Sequence, residues 1–139
     1  MLRGIEMSRR RILPDTVTLR NYVGEVDDEA VYQETILTGC YCIVKSGVNH
    51  NSFGRKENRS GKLYIFDTDT KAASSTGTAR SYVPYDVWIT LADKSAYWTL
   101  SELGLDYFKK AGAPELRVVK FSHLVNGTKR MHHFEVDGE

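Results

Sequence analysis

The chain has 139 residues, of which 27% are charged, and a formal net charge of +1. This near-neutral balance argues against a strongly basic nucleic-acid binder. Its longest apolar run, Cys42-Ile-Val44, is far shorter than the roughly 20 residues that cross a bilayer, and the basic N-terminus lacks the apolar segment of a signal peptide. We expect one folded domain, spanning residues 13–139, in a protein without a membrane segment.

Residues 1–12 are predicted to form a flexible basic arm. Arg9, Arg10 and Arg11 are adjacent like charges, and such charges favour exposure to solvent. Apolar residues, including Ile12, interleave these charges and provide anchors that a protein partner can bind. The predicted partner-binding residues of the arm are therefore Arg9, Arg10, Arg11 and Ile12.

Two strands and an acidic turn are predicted after the arm. Residues 15–22 alternate between polar and apolar, and residues 31–44 form the longest β-prone stretch. Gly39 within that stretch predicts a bulge or bend of the kind at which small barrels turn corners. Cys40 and Cys42 lie on one face of the strand, about 7 Å apart. We predict that they are buried and unbridged, and a zinc site with His132 or His133 is the alternative.

The next segment, residues 46–61, is polar and basic and is predicted to be a loop of about 15 residues. Loops of this length inside a compact domain are usually functional or disordered. Arg55, Lys56 and Arg59 are its candidate functional residues. A short strand is predicted over residues 62–67, followed by a second flexible loop over residues 68–81.

The C-terminal half is predicted to contain two hairpins and one short helix. Residues 87–91 and 96–100 are predicted to pair with each other, and a helical turn is expected within residues 101–112. Strands 116–125 and 128–136 flank Asn126-Gly127, a pair typical of the two-residue type I′ turn. That turn predicts a register with Phe121 opposite His132.

The fold class predicted from these elements is all-β. About seven short strands with turn signals between them indicate a small β-barrel or sandwich. Long loops, a C-terminal hairpin and at most one short helix complete the expected architecture.

Motifs for catalysis and phosphate binding are absent from the sequence. His123 diagonal to His132, and Asp67 beside Asp69, are interpreted as polar positions on the sheet surface rather than as acid–base pairs or metal ligands. We therefore predict no catalytic residues, no metal and no cofactor. Base stacking on an OB-like barrel remains an alternative for the following aromatic residues, together with Arg80: Tyr82, Tyr85, Trp88, Tyr97 and Trp98.

Several local sequences, taken in order, carry a family resemblance over most of residues 13–138. They are Asp15-Thr-Val-Thr-Leu-Arg-Asn-Tyr22, the long stretch from Tyr32 to Val44, the segment from Val87 to Leu100, and the ending from His132 to Gly138. This order resembles tailed-phage head-closure (stopper) or head–tail connector proteins. It also resembles small minor-structural proteins of Gram-positive prophages.

The resemblance implies a structural protein of the virion neck that is made in the host bacterial cytoplasm. It implies a β-barrel that forms a six- or twelve-fold ring of copies below the portal or adaptor ring and above the tail-terminator proteins. Packaged DNA would pass through the channel of this ring. Residues 46–61 would face the channel or a neighbouring subunit, and the N-terminal arm would reach an adjacent ring. A tail-terminator or tail-completion ring is the alternative within phage assembly.

Overall fold

The computed structural model describes residues 13–51 and 54–139, with side chains described outside residues 46–58. The described residues form nine strands, one α-helix (α1, Tyr85–Trp88) and one 3₁₀ turn (Lys129–Met131). The predicted all-β class, with at most one short helix, is confirmed. The strands are β1 (Asp15–Val26), β2 (Glu29–Asn51), β3 (Gly54–Phe66), β4 (Lys71–Ala73), β5 (Ser81–Tyr82), β6 (Tyr97–Trp98), β7 (Tyr107–Lys110), β8 (Leu116–Leu124) and β9 (His133–Gly138).

Six of these strands close into an antiparallel barrel. Strand β1 pairs with β7 on one side and β2 on the other, and the pairings β7–β8–β9–β3–β2 complete the circle. Strand β4 adds to β2 outside this circle. Closure satisfies the backbone groups that an open sheet would leave at its edges. The architecture is therefore a barrel rather than a sandwich.

Strand β2 is long enough to pair with two different strands of the barrel. Its first part pairs with β1 as far as Cys40, and from Tyr41 onward it pairs with β3. The change occurs at Gly39, which has φ +71° and which the β1–β2 ladder skips. A Cβ atom at this position would lie 2.9 Å from the carbonyl oxygen of Asp69. The predicted bend at Gly39 is confirmed.

The loop predicted over residues 46–61 is wrong, because both of its halves are strand. Antiparallel pairing continues beyond the barrel from Ser46 opposite Arg59 to Asn51 opposite Gly54. A two-stranded segment of this kind needs only backbone hydrogen bonds, so its polar sequence carries no apolar alternation. We call residues 45–60 the ribbon. The second predicted loop, residues 68–81, contains the short strand β4, which a hydrogen bond from Arg80 N to Ala72 O supports at 2.9 Å.

The two central assignments of the C-terminal half are also wrong. The predicted strand 87–91 overlaps α1, which starts after Pro84 and buries Trp88. Strand β6 then pairs in parallel with β5 instead of folding back on residues 87–91. The predicted helix within residues 101–112 is replaced by β7, because the barrel closes through Phe108 between β1 and β8. In β6 and β7, tertiary pairing overrides local propensity.

The C-terminal hairpin forms, but its turn and register differ from the prediction. Phe121 lies opposite Val136 rather than His132, a shift of four residues. The connection is longer and includes the 3₁₀ turn. Gly127 has φ +78° while Asn126 has no positive φ, so a type I′ turn is excluded. The even shift keeps Phe134 and Val136 buried.

Two consecutive positive φ angles, as expected at Asn126-Gly127, occur instead at Asp27 (53°) and Asp28 (65°), which join β1 to β2. Replacing both aspartates by alanine should destabilise the chain by about 1 kcal/mol per position, because Asp tolerates left-handed backbone better than Ala. Asn126→Ala, at ordinary φ, is the control and should change the free energy of unfolding by less than about 0.5 kcal/mol. Urea unfolding measures both. Equal effects at the two sites would contradict this assignment of the turn.

The barrel interior is filled by apolar side chains from every barrel strand. Cys40 and Cys42 belong to this core as free thiols. Burial raises the pKa of Cys40 to about 12 and that of Cys42 to about 11, so both stay protonated at neutral pH. Their predicted role as buried small residues is confirmed. The core comprises Val17, Leu19, Leu37, Cys40, Cys42, Leu63, Ile65, Trp98, Leu100, Phe108, Leu116, Val118, Phe134 and Val136.

Candidate functional site

The ribbon is the first candidate for a functional surface. The ladder between β3 and β9 ends at Gly61 opposite Gly138, so β3 before Gly61 has only β2 beside it among the described residues. Two-stranded segments are marginally stable alone in water. Their open edges are also templates for pairing with another chain. The ribbon is therefore suited to contact a neighbour.

All three residues predicted for the channel or inter-subunit contact lie on the β3 side of the ribbon. Arg55 pairs through its backbone with His50, Lys56 with Asn49, and Arg59 with Ser46. The structure thus brings the three together on one strand. The other predicted group, Arg9, Arg10, Arg11 and Ile12 of the arm, lies outside the described residues.

A groove of about 420 Å³ opens at the base of the ribbon. Its apolar part comes from Ile43 and Val119, and Gly61 and Gly138 also line it. Charged side chains surround this apolar part. Its lining consists of Ile43, Lys45, Ser60, Gly61, Lys62, Val119, Asp137, Gly138 and Glu139. Sequence analysis missed this groove, because it depends on the pairing of β3 with β9 and on the bulge at Val119.

The acids of this groove already have cationic partners. Lys62 Nζ lies 3.8 Å from Asp137 Oδ1, and Arg117 Nη2 lies 3.7 Å from Glu139 Oε1. Lys62 also contacts Glu135 at 3.1 Å, and this carboxylate raises the pKa of Lys62. Lys45 is exposed and has no ion-pair partner among the described residues. The groove therefore offers an apolar floor with an available cation at its rim.

A second cavity, of about 310 Å³, contains the His123–Asp67 pair. His123 Nε2 lies 2.8 Å from Asp67 Oδ2, and the His123 ring stacks on Phe134 with centroids 3.9 Å apart. The predicted diagonal of His123 with His132 is wrong, because the register shift places Phe134 opposite His123. The pair joins β8 to the end of β3.

The two acids near the end of β3 do not form a carboxylate pair. Asp67 contacts His123, whereas Asp69 Oδ2 lies 4.0 Å from Arg130 Nη2. This is the solvated strand end that the sequence indicated. Among the described residues, no group of three or more His, Cys, Asp or Glu side chains is arranged to hold a metal ion. Nor does any described helix have the length and apolarity to cross a bilayer.

Two of the five aromatic residues considered for base stacking are buried, and the other three are half-buried. Trp88 and Trp98 are buried, and Tyr82 packs on Trp98 with ring centroids 5.1 Å apart. Arg80 donates hydrogen bonds to the carbonyl oxygen of Glu34, to Ser95 O at 2.8 Å and to Thr35 Oγ1 at 3.1 Å. Trp88, Trp98, Tyr82 and Arg80 therefore make contacts within the fold, whereas Tyr85 and Tyr97 are half-buried.

No family model, no curated protein and no solved structure matches this chain.

Proposed function

We propose that this protein is a non-enzymatic structural subunit of the tailed-phage neck. In this role, copies form a head-closure or head–tail connector ring in the virion between the portal or adaptor and the tail. The ribbon that extends from a closed barrel is the observation that carries the proposal. A barrel supplies a rigid body, and the ribbon supplies backbone edges that a neighbouring chain can cover.

The charge of the ribbon favours a position beside DNA or an acidic neighbour. Lys45 and Arg59 are exposed, and Arg55 and Lys56 add positive charge to the same segment. The remainder of the near-neutral chain balances this charge. In a ring, six or twelve ribbons would concentrate cations around the channel through which DNA passes. Contacts of this kind with phosphates are independent of sequence and weaken as salt rises.

The sequence resemblance supplies the biological context for this geometry. A stopper or connector ring binds the portal side through one surface and tail proteins through another. The basic arm, with Arg9, Arg10, Arg11 and Ile12, is the proposed contact to the adjacent ring. The subunit would be made in the host bacterial cytoplasm and incorporated into the virion.

A genetic experiment tests the proposal. The gene is inactivated in the phage or prophage that carries it and is complemented with wild type or with a variant whose residues 47–58 are replaced by Asn-Gly. That replacement joins Ser46 to Arg59 through a two-residue turn and leaves the barrel pairings intact. We expect DNA-filled heads that leak or fail to join tails for both the null and the shortened ribbon, with the melting temperature of the variant unchanged.

Lys71→Glu is the control for general effects of complementation, since Lys71 is an exposed lysine of β4 outside the ribbon. It should restore wild-type titres. Normal tailed and infectious particles in the absence of the protein would contradict the proposed function.

A further inference from the structure

The turn between β1 and β2 presents a single valine surrounded by carboxylates. Val26 is 62% exposed. Glu25, Asp27, Asp28 and Glu29 flank it and are all exposed. Asp27, Asp28 and Glu29 have no ion-pair partner among the described residues. We call residues 25–29 the acidic tip.

The backbone holds this tip in a defined shape. Val26 pairs with Glu29 across a two-residue turn, and both intervening aspartates have positive φ. The β1–β7 pairing spans only Val17 to Arg20, so the tip extends beyond that side of the barrel. A preformed, extended tip loses little conformational entropy when it binds.

The groove at the base of the ribbon has the complementary chemistry. Its floor of Ile43 and Val119 can accept an aliphatic side chain, and Lys45 stands at its rim as an available cation. Its own acids have ion-pair partners, Asp137 with Lys62 at 3.8 Å and Glu139 with Arg117 at 3.7 Å. Its volume of about 420 Å³ exceeds that of one valine side chain, leaving room for the neighbouring atoms of the tip.

The tip and the groove of one chain cannot meet. Glu29 begins β2, and Ile43 lies 14 residues further along the same strand. Strand β1 stays paired with the intervening part of β2 from Val26 opposite Glu29 to Thr16 opposite Thr38. A contact between the two surfaces must therefore join different molecules.

We infer that the acidic tip of one copy binds the groove at the base of the ribbon of the next copy. Val26 inserts against Ile43 and Val119, and the carboxylates of the tip face Lys45. This contact is head-to-tail, and contacts of that type close into a ring when the rotation between copies permits it. The inference rests on the proposed function, since it supplies the subunit contact that a neck ring needs.

Charge reversal in the full-length chain tests this contact by sedimentation velocity. Glu29→Lys alters the tip and Lys45→Glu alters the groove, and each should weaken self-association by at least about tenfold. Mixing the two variants should restore assembly, because each lysine tip then meets a glutamate groove and each native tip meets a native groove. Restoration also shows that both variants are folded.

Two matched controls reverse exposed charges elsewhere. Glu34→Lys lies on the same strand as Glu29, and Lys71→Glu lies on β4. Both should associate as wild type does. A further variant, Val26→Ser, should weaken association while leaving the melting temperature unchanged.

Three results would overturn the inference. One is a wild-type chain that stays monomeric at its highest soluble concentration, and another is self-association that is insensitive to both charge reversals. The third is a mixture of the Glu29→Lys and Lys45→Glu variants that remains dissociated. If the reversals instead weaken binding to portal or tail proteins alone, the groove receives a partner protein rather than a second copy. The neck phenotype of the null phage is measured separately, so failure of this contact is distinguishable from failure of the proposed function.

Discussion

Replacing Asp106 by alanine should lower the free energy of unfolding by about 2–6 kcal/mol. The Asp106 side chain is only 2% exposed. It accepts hydrogen bonds from the backbone N–H groups of Tyr22 and Ser101, both at 3.0 Å, and from the Ser101 hydroxyl at 3.2 Å. Removal of the carboxylate leaves two buried backbone donors without an acceptor, at about 1–3 kcal/mol each.

Asp106 should also make the free energy of unfolding depend on pH, in a defined direction. Burial raises the pKa of Asp106, against the opposing effect of its hydrogen bonds. A raised pKa means that the folded chain holds the proton more tightly than the unfolded chain. The stabilisation that protonated Asp106 contributes is complete below the ordinary carboxyl pKa. It is lost as pH rises through the pKa of Asp106 in the folded chain. Asp106→Asn should remove this decline.

Chemical unfolding across pH measures both effects. Ser101→Ala is the control, because it removes the hydroxyl donor but leaves the carboxylate and both backbone bonds, and should cost about 0.5–1.5 kcal/mol. An alanine variant at position 106 that is as stable as wild type would show that the Tyr22 and Ser101 donors are satisfied in another way.

Trp98→Ala should destabilise the barrel by about 3–5 kcal/mol. Trp98 is 5% exposed, and its ring lies 5.1 Å from that of Tyr82 and 5.5 Å from that of Phe134, measured between centroids. Truncation would leave a cavity beneath the β5–β6 pair. Urea unfolding measures the loss, with the exposed Ile89→Ala expected within about 0.5 kcal/mol of wild type.

The same variant separates a core role for the aromatic residues from a base-stacking role. Loss of a stacking platform would weaken binding to single-stranded nucleic acid and leave stability unchanged. Loss of a core residue would lower stability and leave binding to single-stranded nucleic acid unchanged. Binding of oligonucleotides that requires Trp98 in a fully stable variant would contradict the internal placement of these rings.

The β-rich class and the bend of β2 were predictable because they depend on local signals. Alternation at Val17 and Leu19 marks a strand with one buried face, and a glycine inside a strand marks a bulge. The burial of Cys40 and Cys42 followed from their common face. These features need no knowledge of which strands are neighbours.

The errors arose where distant pairing decides the outcome. Phe108 becomes strand because β1 and β8 lie on either side of it. Trp88 lies in a helix, and its buried indole donates from Nε1 to the carbonyl oxygen of the distant Tyr22 at 3.3 Å. Asn126-Gly127 is a strong turn signal, yet the ladder between β8 and β9 places Phe121 opposite Val136, four residues from its predicted partner. The groove at the base of the ribbon has no linear signal at all, since its lining comes from β2, β3, β8 and the C-terminal residues.

A cryo-EM reconstruction of the neck of the phage that encodes this chain tests the proposed role most directly. The proposal predicts six or twelve copies in one ring between the portal and the tail, with the ribbons directed to the channel or to adjacent subunits. A virion in which this chain is absent, or is located outside the neck, would contradict it.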